Sequence, residues 1–277
     1  MYSVPPVNFI YCSYKITVRF ADQIGNKSDC RGTGFFVATD DGNVAFVTNR
    51  HVLDPKYKKL NVHDSMKLVE LVILGKTRQG ETFELFLDPS QIPVFPKNFE
   101  DDIACIINPQ DISNSLNAVV FHHFGIEALA NEHYVSEEIQ PGEQVFYAGF
   151  PDPHDKLAQR PILRSGTIAS DPKYSYSYTG IDEGERIAYE AFSSGGASGS
   201  PVWAAGRSFK GYPGSRTGAI VGINGGHIVE KFGAHSGISF FYKSSVLLEM
   251  LQSAGITANP SEPAQSPAPS SQPTTPH

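Results

Sequence analysis

Short runs of β-branched and aromatic residues recur along most of this chain, and clusters of glycine, proline, asparagine and aspartate separate them. Runs of this length, bounded by turn-forming residues, are typical of the strands of an all-β sandwich or barrel. The predicted strands cover residues 13–21, 32–39, 43–49, 67–75, 81–87, 102–108, 144–149, 162–169, 186–192, 200–204, 217–224 and 236–242. Two sets of six, with a less regular segment between them, favour two similar six-stranded β-barrels over one continuous sheet.

One stretch near the C-terminus has a helical pattern. Between Ser244 and Ser253 apolar residues recur at helical spacing, Ser244 can cap the first turn, and Gly255 can end the helix. The apolar stripe consists of Val246, Leu247, Met250 and Leu251. A weaker pattern predicts a second helix from Ile126 to Glu132.

These elements divide the chain into four regions. We expect the first barrel over residues 10–118, a connection over 119–142, and the second barrel with the terminal helix over 143–256. From residue 257 to 277 the composition changes to proline, serine, glutamine and threonine, and the repeated prolines disfavour regular structure. This last region is expected to be a disordered tail.

The composition limits the possible partners. Of the 277 residues, 40% are hydrophobic and 18% are charged, and the formal net charge of −7 argues against nucleic acid as a partner. No apolar run approaches the ~18 residues that suggest a membrane span. Residues 1–10 lack the basic and apolar parts of a secretory signal. The sequence therefore predicts a cytoplasmic protein, with secretion followed by processing as the alternative, and it leaves the oligomeric state open.

The cysteines and most histidines show no metal-binding pattern. Cys12, Cys30 and Cys105 are an odd number without ligand spacing, so neither a disulfide framework nor a metal is expected. Cys105 lies in an apolar run and is predicted to be a buried small hydrophobe. Surface or loop positions are expected for His122, His123, His133, His227 and His235. No cofactor is expected.

The stretch from Ser193 to Pro201 is small and glycine-rich. Glycines on both sides of Ser198 permit a tight turn in which backbone N–H groups converge and the hydroxyl is accessible. That geometry suits a nucleophile beside its own oxyanion hole, although a Ser/Gly-rich turn between strands is more often an ordinary loop. The presence or absence of suitable partner residues decides between the two interpretations.

A nucleophilic serine needs a base to take its proton and a carboxylate to orient that base. His51 is the candidate base, because it directly follows an apolar strand. Asp102 is the candidate carboxylate, because it precedes the apolar strand that begins at Ile103 and would lie at the edge of a core. Asp101 is the alternative carboxylate.

The order His51, Asp102, Ser198 resembles that of the trypsin/chymotrypsin-like serine peptidases, in particular the bacterial HtrA/Deg peptidases and glutamyl endopeptidases. The similar motifs are residues 48–52 around the histidine, 102–104 around the aspartate and 196–201 around the serine, with further segments at 148–151, 165–168 and 221–224. The resemblance covers about residues 13–254. It implies two six-stranded Greek-key barrels (chymotrypsin-like) with the site in the cleft between them.

The resemblance also implies a role for each residue. Ser198 would attack a carbonyl, His51 would transfer the proton, Asp102 would fix the tautomer, and the N–H groups of Gly196 and Ser198 would form the oxyanion hole. The implied substrate-binding residues are Phe192, Ser193, Ser194, Gly195, Ile223, Asn224 and Gly225, with residues 237–239 on the far side of the pocket. The predicted function is a serine endopeptidase that hydrolyses polypeptides through an acyl-enzyme. The alternative is a catalytically silent relative that binds peptides in the same groove.

Two departures from the family pattern affect regulation and specificity. Ala197 stands where the digestive enzymes have an aspartate that pairs with a new N-terminus after zymogen cleavage, so activation by that route is not expected. Asn224 stands where glutamyl endopeptidases have a histidine, which leaves the acid-binding set incomplete, and the sequence does not place His227. The expected substrate residue on the acyl side of the cleaved bond is therefore uncharged: it is a small, an apolar or a neutral polar residue.

Overall fold

A computed structural model describes residues 5–39, 41–58, 65–112, 122–207, 215–230 and 233–256 of the chain. The strands are β1 (Ser13–Ala21), β2 (Lys27–Ala38), β3 (Val44–Thr48), β4 (Lys67–Lys76), β5 (Thr82–Leu87), β6 (Ala104–Ile107), β7 (Phe124–Gly125), β8 (Gln144–Gly149), β9 (Ile162–Ile168), β10 (Arg186–Glu190), β11 (Pro201–Ala204), β12 (Ala219–Val229) and β13 (His235–Lys243). The α-helices are α1 (Arg50–Leu53) and α2 (Ser244–Ser253), with 3-10 turns at Val7–Cys12 and Ile126–Ala128 and a π-helical turn at Tyr134–Glu138. Each of the twelve predicted strands has an observed counterpart. The predicted boundary at 118–119 and the tail at 257–277 lie outside the described residues.

The first half of the chain forms a sheet in the order β5-β4-β1-β2-β3-β6, with β7 added in parallel beside β2. The end strands β5 and β6 do not pair with each other as strands. Isolated bridges instead connect Leu87 with Asp111 and Val94 with Cys105. The six-strand path agrees with the prediction, and short bridges rather than a full strand pair bring its two ends towards each other.

The second half forms a closed six-stranded barrel in the order β10-β13-β12-β11-β8-β9. Neighbouring strands are antiparallel, and the pairing of β12 with β13 is irregular between Asn224 and Gly226 and again between His227 and Val229. Such irregularities bend a strand and redirect its side chains. Together with the first sheet and the C-terminal helix, this barrel confirms the predicted chymotrypsin-like fold class.

The weaker helix prediction for Ile126 to Glu132 is wrong. After one 3-10 turn the chain becomes extended, because Leu129 forms a bridge with Ile220 and the Ala130 N–H donates to the Ile220 carbonyl over 2.8 Å. The helical turn begins later, where the Tyr134 N–H donates to the Asn131 side chain over 2.9 Å. Pairing with a distant strand therefore overrides the local pattern.

Helix α2 has the predicted bounds and packs its apolar stripe inward. Leu247, Met250 and Leu251 are buried. Ser244 does not cap the helix as predicted, because its hydroxyl donates to the Ala130 carbonyl over 2.7 Å. Within the described part of the chain, no helix has both the length and the apolar content needed to cross a membrane.

One apolar cluster joins the two halves of the molecule. Phe35 on β2 and Val47 on β3 belong to the same cluster as Ile220 and Ile223 on β12 and Leu247 on α2. All five side chains are completely buried. Burial of this kind is the main favourable contribution to folding, and here it also packs strands of the first half against a strand and the helix of the second.

Asp101 adds a polar connection between the halves. Its carboxylate is buried, and Oδ1 accepts the Glu185 backbone N–H over 2.7 Å. Burial, together with the nearby carboxylates of Glu185, Asp182 and Glu249, raises the pKa of Asp101 to about 6, although the hydrogen bond from the Glu185 N–H lowers it. The folded protein therefore holds a proton on this group at a pH where the unfolded chain has released it.

This raised pKa predicts a specific pH dependence of stability. Between about pH 4 and 6 the folded state binds more protons at Asp101 than the unfolded state, so this residue lowers the free energy of unfolding as the pH rises. Asp101→Asn keeps the acceptor oxygen and removes the charge, so it should gain stability relative to wild type across this window. Urea unfolding of both proteins from pH 4 to 8 measures the difference, and a constant difference over that range would contradict the prediction.

Candidate active site

His51 and Asp102 meet because the strands that lead to them are paired. His51 lies in α1, directly after β3, and Asp102 precedes β6, whose Ala104 lies opposite Thr48 of β3. The His51 Nδ1 atom is 2.5 Å from Asp102 Oδ2, and the His51 backbone N–H donates to Asp102 Oδ1 over 2.8 Å. Both carboxylate oxygens thus contact one residue, which fixes the orientation of the imidazole ring.

The exposure of the two side chains and the position of Nδ1 show which nitrogen of the His51 ring is accessible. The Asp102 side chain is 8% exposed, whereas that of His51 is 31% exposed. Because Nδ1 faces the carboxylate, Nε2 is the ring nitrogen available for other chemistry. Asp101 faces Glu185 and not His51. The structure therefore places Asp102, and not its neighbour, behind the histidine.

Asn49 supports this pair, and sequence reasoning gave it no role. It is completely buried, and its Nδ2 donates to the Asp102 backbone carbonyl over 2.6 Å. Asn49 lies just before α1, and this bond ties the start of that helix to the backbone of Asp102. The segment of residues 48–52 was visible in the sequence, but the partner of Asn49 was not.

The loop that carries Ser198 is fastened to the first half of the molecule through Thr33 on β2. The Thr33 N–H donates to the Ser198 carbonyl over 2.8 Å, and its hydroxyl donates to the Gly196 carbonyl over 2.7 Å. The same hydroxyl accepts the Phe150 N–H over 2.9 Å, and the Thr33 carbonyl accepts the Thr48 hydroxyl over 2.8 Å. Thr33 is completely buried, so these bonds are shielded from water.

Glycine is required at the two positions next to this contact. Gly196 has φ +88° and Gly199 has φ +87°, in the region that favours glycine. A Cβ atom at Gly196 would collide with the Phe150 carbonyl, and one at Gly199 would collide with the Thr33 carbonyl. The glycines around Ser198 therefore serve the close approach of two backbones as well as the turn.

Hydrogen bonds to two carbonyl groups of the loop that carries Ser198 set the directions of the N–H groups in the same two peptide units. The Gly195 carbonyl accepts the Asp152 N–H, and the Ala197 carbonyl accepts Asn224 Nδ2, each over 2.9 Å. In a trans peptide the N–H points opposite to the C=O. The N–H groups of Gly196 and Ser198 therefore point away from these partners, and within the described residues neither has an acceptor.

The Ser198 backbone and Val52, the residue after His51, approach each other at Gly32. A Cβ atom at Gly32 would be 3.0 Å from the Val52 side chain and 3.3 Å from the Ser198 carbonyl. Gly32 therefore lies between Val52 and the backbone of Ser198. Among the described residues, the Ser198 hydroxyl and the His51 ring form no hydrogen bond. Catalytic hydrogen bonds are often long or poorly aligned in free enzymes.

Asn224 belongs to the scaffold of the loop rather than to an accessible pocket. It is completely buried, and Nδ2 donates to the Ser193 hydroxyl as well as to the Ala197 carbonyl, both over 2.9 Å. Its Oδ1 accepts the Tyr189 hydroxyl over 2.7 Å. Ile223, also predicted to wall the pocket, is completely buried in the core cluster. Neither residue is accessible to a substrate.

Other predicted pocket residues lie along the loop and β12. Phe192 is 61% exposed, and its ring packs against His235. The Ser193 N–H donates to the Ser239 hydroxyl over 3.1 Å, while the Ser194 hydroxyl is buried without a partner among the described residues. Gly195 and Gly225 are at least partly exposed. The structure thus brings the segment of residues 192–195 against the β12–β13 hairpin.

The two buried cysteines take no part in this chemistry. Cys105 is completely buried, as predicted, and burial raises the pKa of its thiol to about 12. Burial also raises the pKa of Cys12 to about 12. These two thiols stay protonated and are not nucleophiles. Over the described ranges, no three His, Cys, Asp or Glu side chains lie close enough to hold a metal ion.

The solved structures that are similar to this chain include an endopeptidase. A Glu endopeptidase in complex with MPD matches with a TM-score of 0.51 at 14% identity, over 92% of this chain and 97% of that chain. Deg5 matches with a TM-score of 0.48 at 16% identity, over 88% of this chain and 90% of that chain. The inactive form of a serine-to-alanine mutant of Rv3671c from M. tuberculosis H37Rv matches with a TM-score of 0.47 at 13% identity, over 92% and 96%. At these identities the Glu endopeptidase likeness shows the fold alone.

The sequence itself carries the family assignment. No curated protein sequence gives a significant match to this chain. Residues 32–209, more than half of the chain, match the family described as the trypsin-like peptidase domain. The matched region contains His51, Asp102 and Ser198. The chain therefore belongs to the family of trypsin-like peptidases.

Proposed function

We propose that this protein is a serine endopeptidase that cleaves polypeptides through a Ser198–His51–Asp102 triad. The observation that carries the proposal is the set of hydrogen bonds at Thr33. They hold the Ser198 loop against the strands that lead to His51, while Asp102 holds the His51 ring. An activated serine needs this combination of a fixed base and a fixed nucleophile backbone.

In the acylation step, Ser198 Oγ bonds to the substrate carbonyl carbon as His51 Nε2 takes its proton. The resulting tetrahedral intermediate carries the negative charge on the former carbonyl oxygen. His51 then gives the proton to the leaving nitrogen, the C–N bond breaks, and an ester remains on Ser198. A water molecule repeats the sequence, with His51 as base and then acid, and releases the carboxylic acid and free Ser198.

Asp102 acts on the base rather than on the substrate. Its contact with Nδ1 leaves Nε2 as the nitrogen available to Ser198, and its negative charge would stabilise the imidazolium formed during each step. The low exposure of Asp102 strengthens this electrostatic effect, because little water screens it.

The N–H groups of Gly196 and Ser198 would bind the oxyanion. Their directions are set by the bonds to the Gly195 and Ala197 carbonyls, so they need no rearrangement when the charge develops. A single donor of this kind contributes about 2.7–4 kcal/mol of transition-state stabilisation. The described residues show no Ser198–His51 hydrogen bond, and in free enzymes such catalytic bonds are often long or poorly aligned and tighten only when substrate is bound.

The first test is covalent labelling of Ser198. Wild-type protein should react with a fluorophosphonate probe and hydrolyse casein, because both need an activated serine. Ser198→Ala should abolish both, while Ser90→Ala, at an exposed turn, should leave both unchanged. Equal labelling of the wild type and Ser198→Ala would refute the proposal and favour the silent peptide-binding alternative.

The second test separates the two neighbouring aspartates. Asp102→Asn should lower kcat by about 10⁴-fold, because the ring loses the carboxylate that fixes its tautomer and stabilises its charge. Asp101→Asn is the matched control, since Asp101 contacts Glu185 and not His51, and its kcat should stay within a few-fold of wild type. Steady-state hydrolysis of a peptide substrate measures both. Similar losses in the two variants would contradict the role of Asp102.

The third test concerns Thr33. Thr33→Val keeps the volume but leaves the Gly196 carbonyl and the Phe150 N–H without this buried partner, so it should cost about 1–3 kcal/mol in stability. Because the loop that carries Ser198 should lose its position, kcat should fall at least about tenfold. Thr33→Ser keeps the hydroxyl and should retain most of the activity. Urea unfolding and single-turnover acylation measure the two effects, and a fully active Thr33→Val would show that the loop does not depend on this bond.

A further inference from the structure

A large cavity lies between the two halves of the molecule, beside the contact of Asp101 with Glu185. Its volume is about 1030 Å³. Residues 94–98 and Asp101 of the first half line it, together with residues 173–175 and Glu185 of the second half and residues of α2. Neither His51 nor Ser198 contributes to the lining, so this cavity is separate from the proposed catalytic residues. A cavity of this size is large enough for a small organic molecule.

Asp101 presents a buried carboxylate to this cavity. The residue is 3% exposed, and its Oδ1 accepts the Glu185 N–H. Its Oδ2 has no hydrogen-bond donor among the described residues, and Asp101 forms no ion pair with any of them. An unpaired carboxylate oxygen in a buried position is costly, and it indicates a place for a donor or a cation.

The lysines of the cavity do not balance its carboxylates. Lys243 is buried, and its Nζ is 3.1 Å from Glu132 Oε1 and 3.0 Å from Glu185 Oε2, so one ammonium group serves two carboxylates. Lys173 pairs with a carboxylate that does not line the cavity, and Lys97 is exposed. These lysines therefore leave the carboxylate charge of the cavity only partly neutralised.

The carboxylates around Asp101 make the field at this end of the cavity negative. In addition to burial, the nearby Glu185, Asp182 and Glu249 raise the pKa of Asp101. Glu249 lies on α2 and is exposed. Within the described part of the chain, neither Asp182 nor Glu249 forms an ion pair. An excess of negative charge next to an unpaired carboxylate oxygen favours a positively charged ligand.

The remainder of the lining favours an organic cation. Tyr174 is 70% exposed at the cavity, and the face of an aromatic ring attracts ammonium and guanidinium groups. Val94, Val246 and Met250 also line the cavity and provide apolar surface for an alkyl stem. The described residues bring no three His, Cys, Asp or Glu side chains into an arrangement that would hold a metal ion.

We propose that this cavity binds an alkylammonium or alkylguanidinium group, with its cationic end at Asp101 Oδ2 and its alkyl stem against the apolar lining. The group belongs either to a free amine or to a lysine or arginine side chain of a polypeptide. Its binding would pair the buried carboxylate and connect the two halves of the molecule through one ligand. This inference does not depend on the proposed peptidase function, because the proposed catalytic residues do not line the cavity.

Binding should be coupled to the release of a proton from Asp101. The carboxylate attracts a cation and the neutral acid does not, and the pKa of Asp101 is about 6. The titratable or charged groups near it on other elements are Tyr57, Asp182, Glu185, Tyr242, Lys243 and Glu249. Alkylammonium and guanidinium groups keep their charge at neutral and acidic pH. Competition with one proton should therefore weaken binding about tenfold between pH 7 and pH 5.

The experiment is an NMR titration of the full chain with n-butylamine, with 1-butanol as the neutral control. The amine should bind at least about tenfold more tightly than the alcohol at pH 7. Asp101→Asn should remove this difference and its pH dependence, and Glu249→Gln, at an exposed position on α2, should weaken amine binding several-fold. Glu81→Gln, at the exposed turn between β4 and β5, is the matched control and should bind the amine like wild type.

A second pair of probes distinguishes the two sources of the cation. A blocked Ala-Arg-Ala peptide and the same peptide with citrulline are titrated into Ser198→Ala, which prevents cleavage. Binding of the arginine peptide that requires Asp101 would assign the cavity to side chains of polypeptides, whereas binding of butylamine without the peptide would assign it to free amines. Equal binding of butylamine and butanol, or amine binding that persists in Asp101→Asn, would overturn the proposal. Because the readout is binding and not hydrolysis, neither result changes the outcome of the Ser198 labelling test.

Discussion

The structure depends on one buried threonine that uses all of its polar atoms. Thr33 donates its N–H to the Ser198 carbonyl and its hydroxyl to the Gly196 carbonyl, and it accepts from Phe150 and Thr48. A displacement of the serine loop would break two or more of these bonds in a site that water does not reach. The penalty for unpaired buried groups then favours a single position for the loop. The apolar cluster shared by the two halves sets their distance, and Thr33 sets the alignment of the proposed catalytic loop.

Sequence reasoning succeeded where a feature is local or repetitive. Short runs of β-branched and aromatic residues between turn-forming clusters located the strands, and the apolar spacing located α2 from Ser244 to Ser253. It failed between Ile126 and Glu132, because the decisive interaction there is a bond from Ala130 to Ile220, about 90 residues away. The same limitation explains why the sequence predicted no role for Thr33 and Asn49. Each is an ordinary polar residue in the sequence, and its role becomes clear only when its distant partners are known.

The residues beside the loop that carries Ser198 illustrate this limitation most clearly. Asn224 was interpreted as part of a pocket, but its amide is fully used by Tyr189, Ser193 and the Ala197 carbonyl. The stacking of the His227 and His235 rings depends on the register of the β12–β13 hairpin and on its irregular pairing. No spacing rule in the sequence encodes that register. The proposed triad positions could be named from the sequence because three local motifs carry them, whereas the surrounding side chains depend on tertiary pairing.

The role of Asn224 also bears on how the proposed oxyanion hole is kept in place. Ala197 is completely buried, so a charged side chain at this position would need a buried partner. Here the peptide that follows Ala197 is held by the neutral Asn224 amide, which is present as soon as the chain folds. A loop aligned by an internal amide needs no new N-terminus to form an ion pair. The arrangement therefore favours an oxyanion hole that is assembled by folding itself, without proteolytic activation.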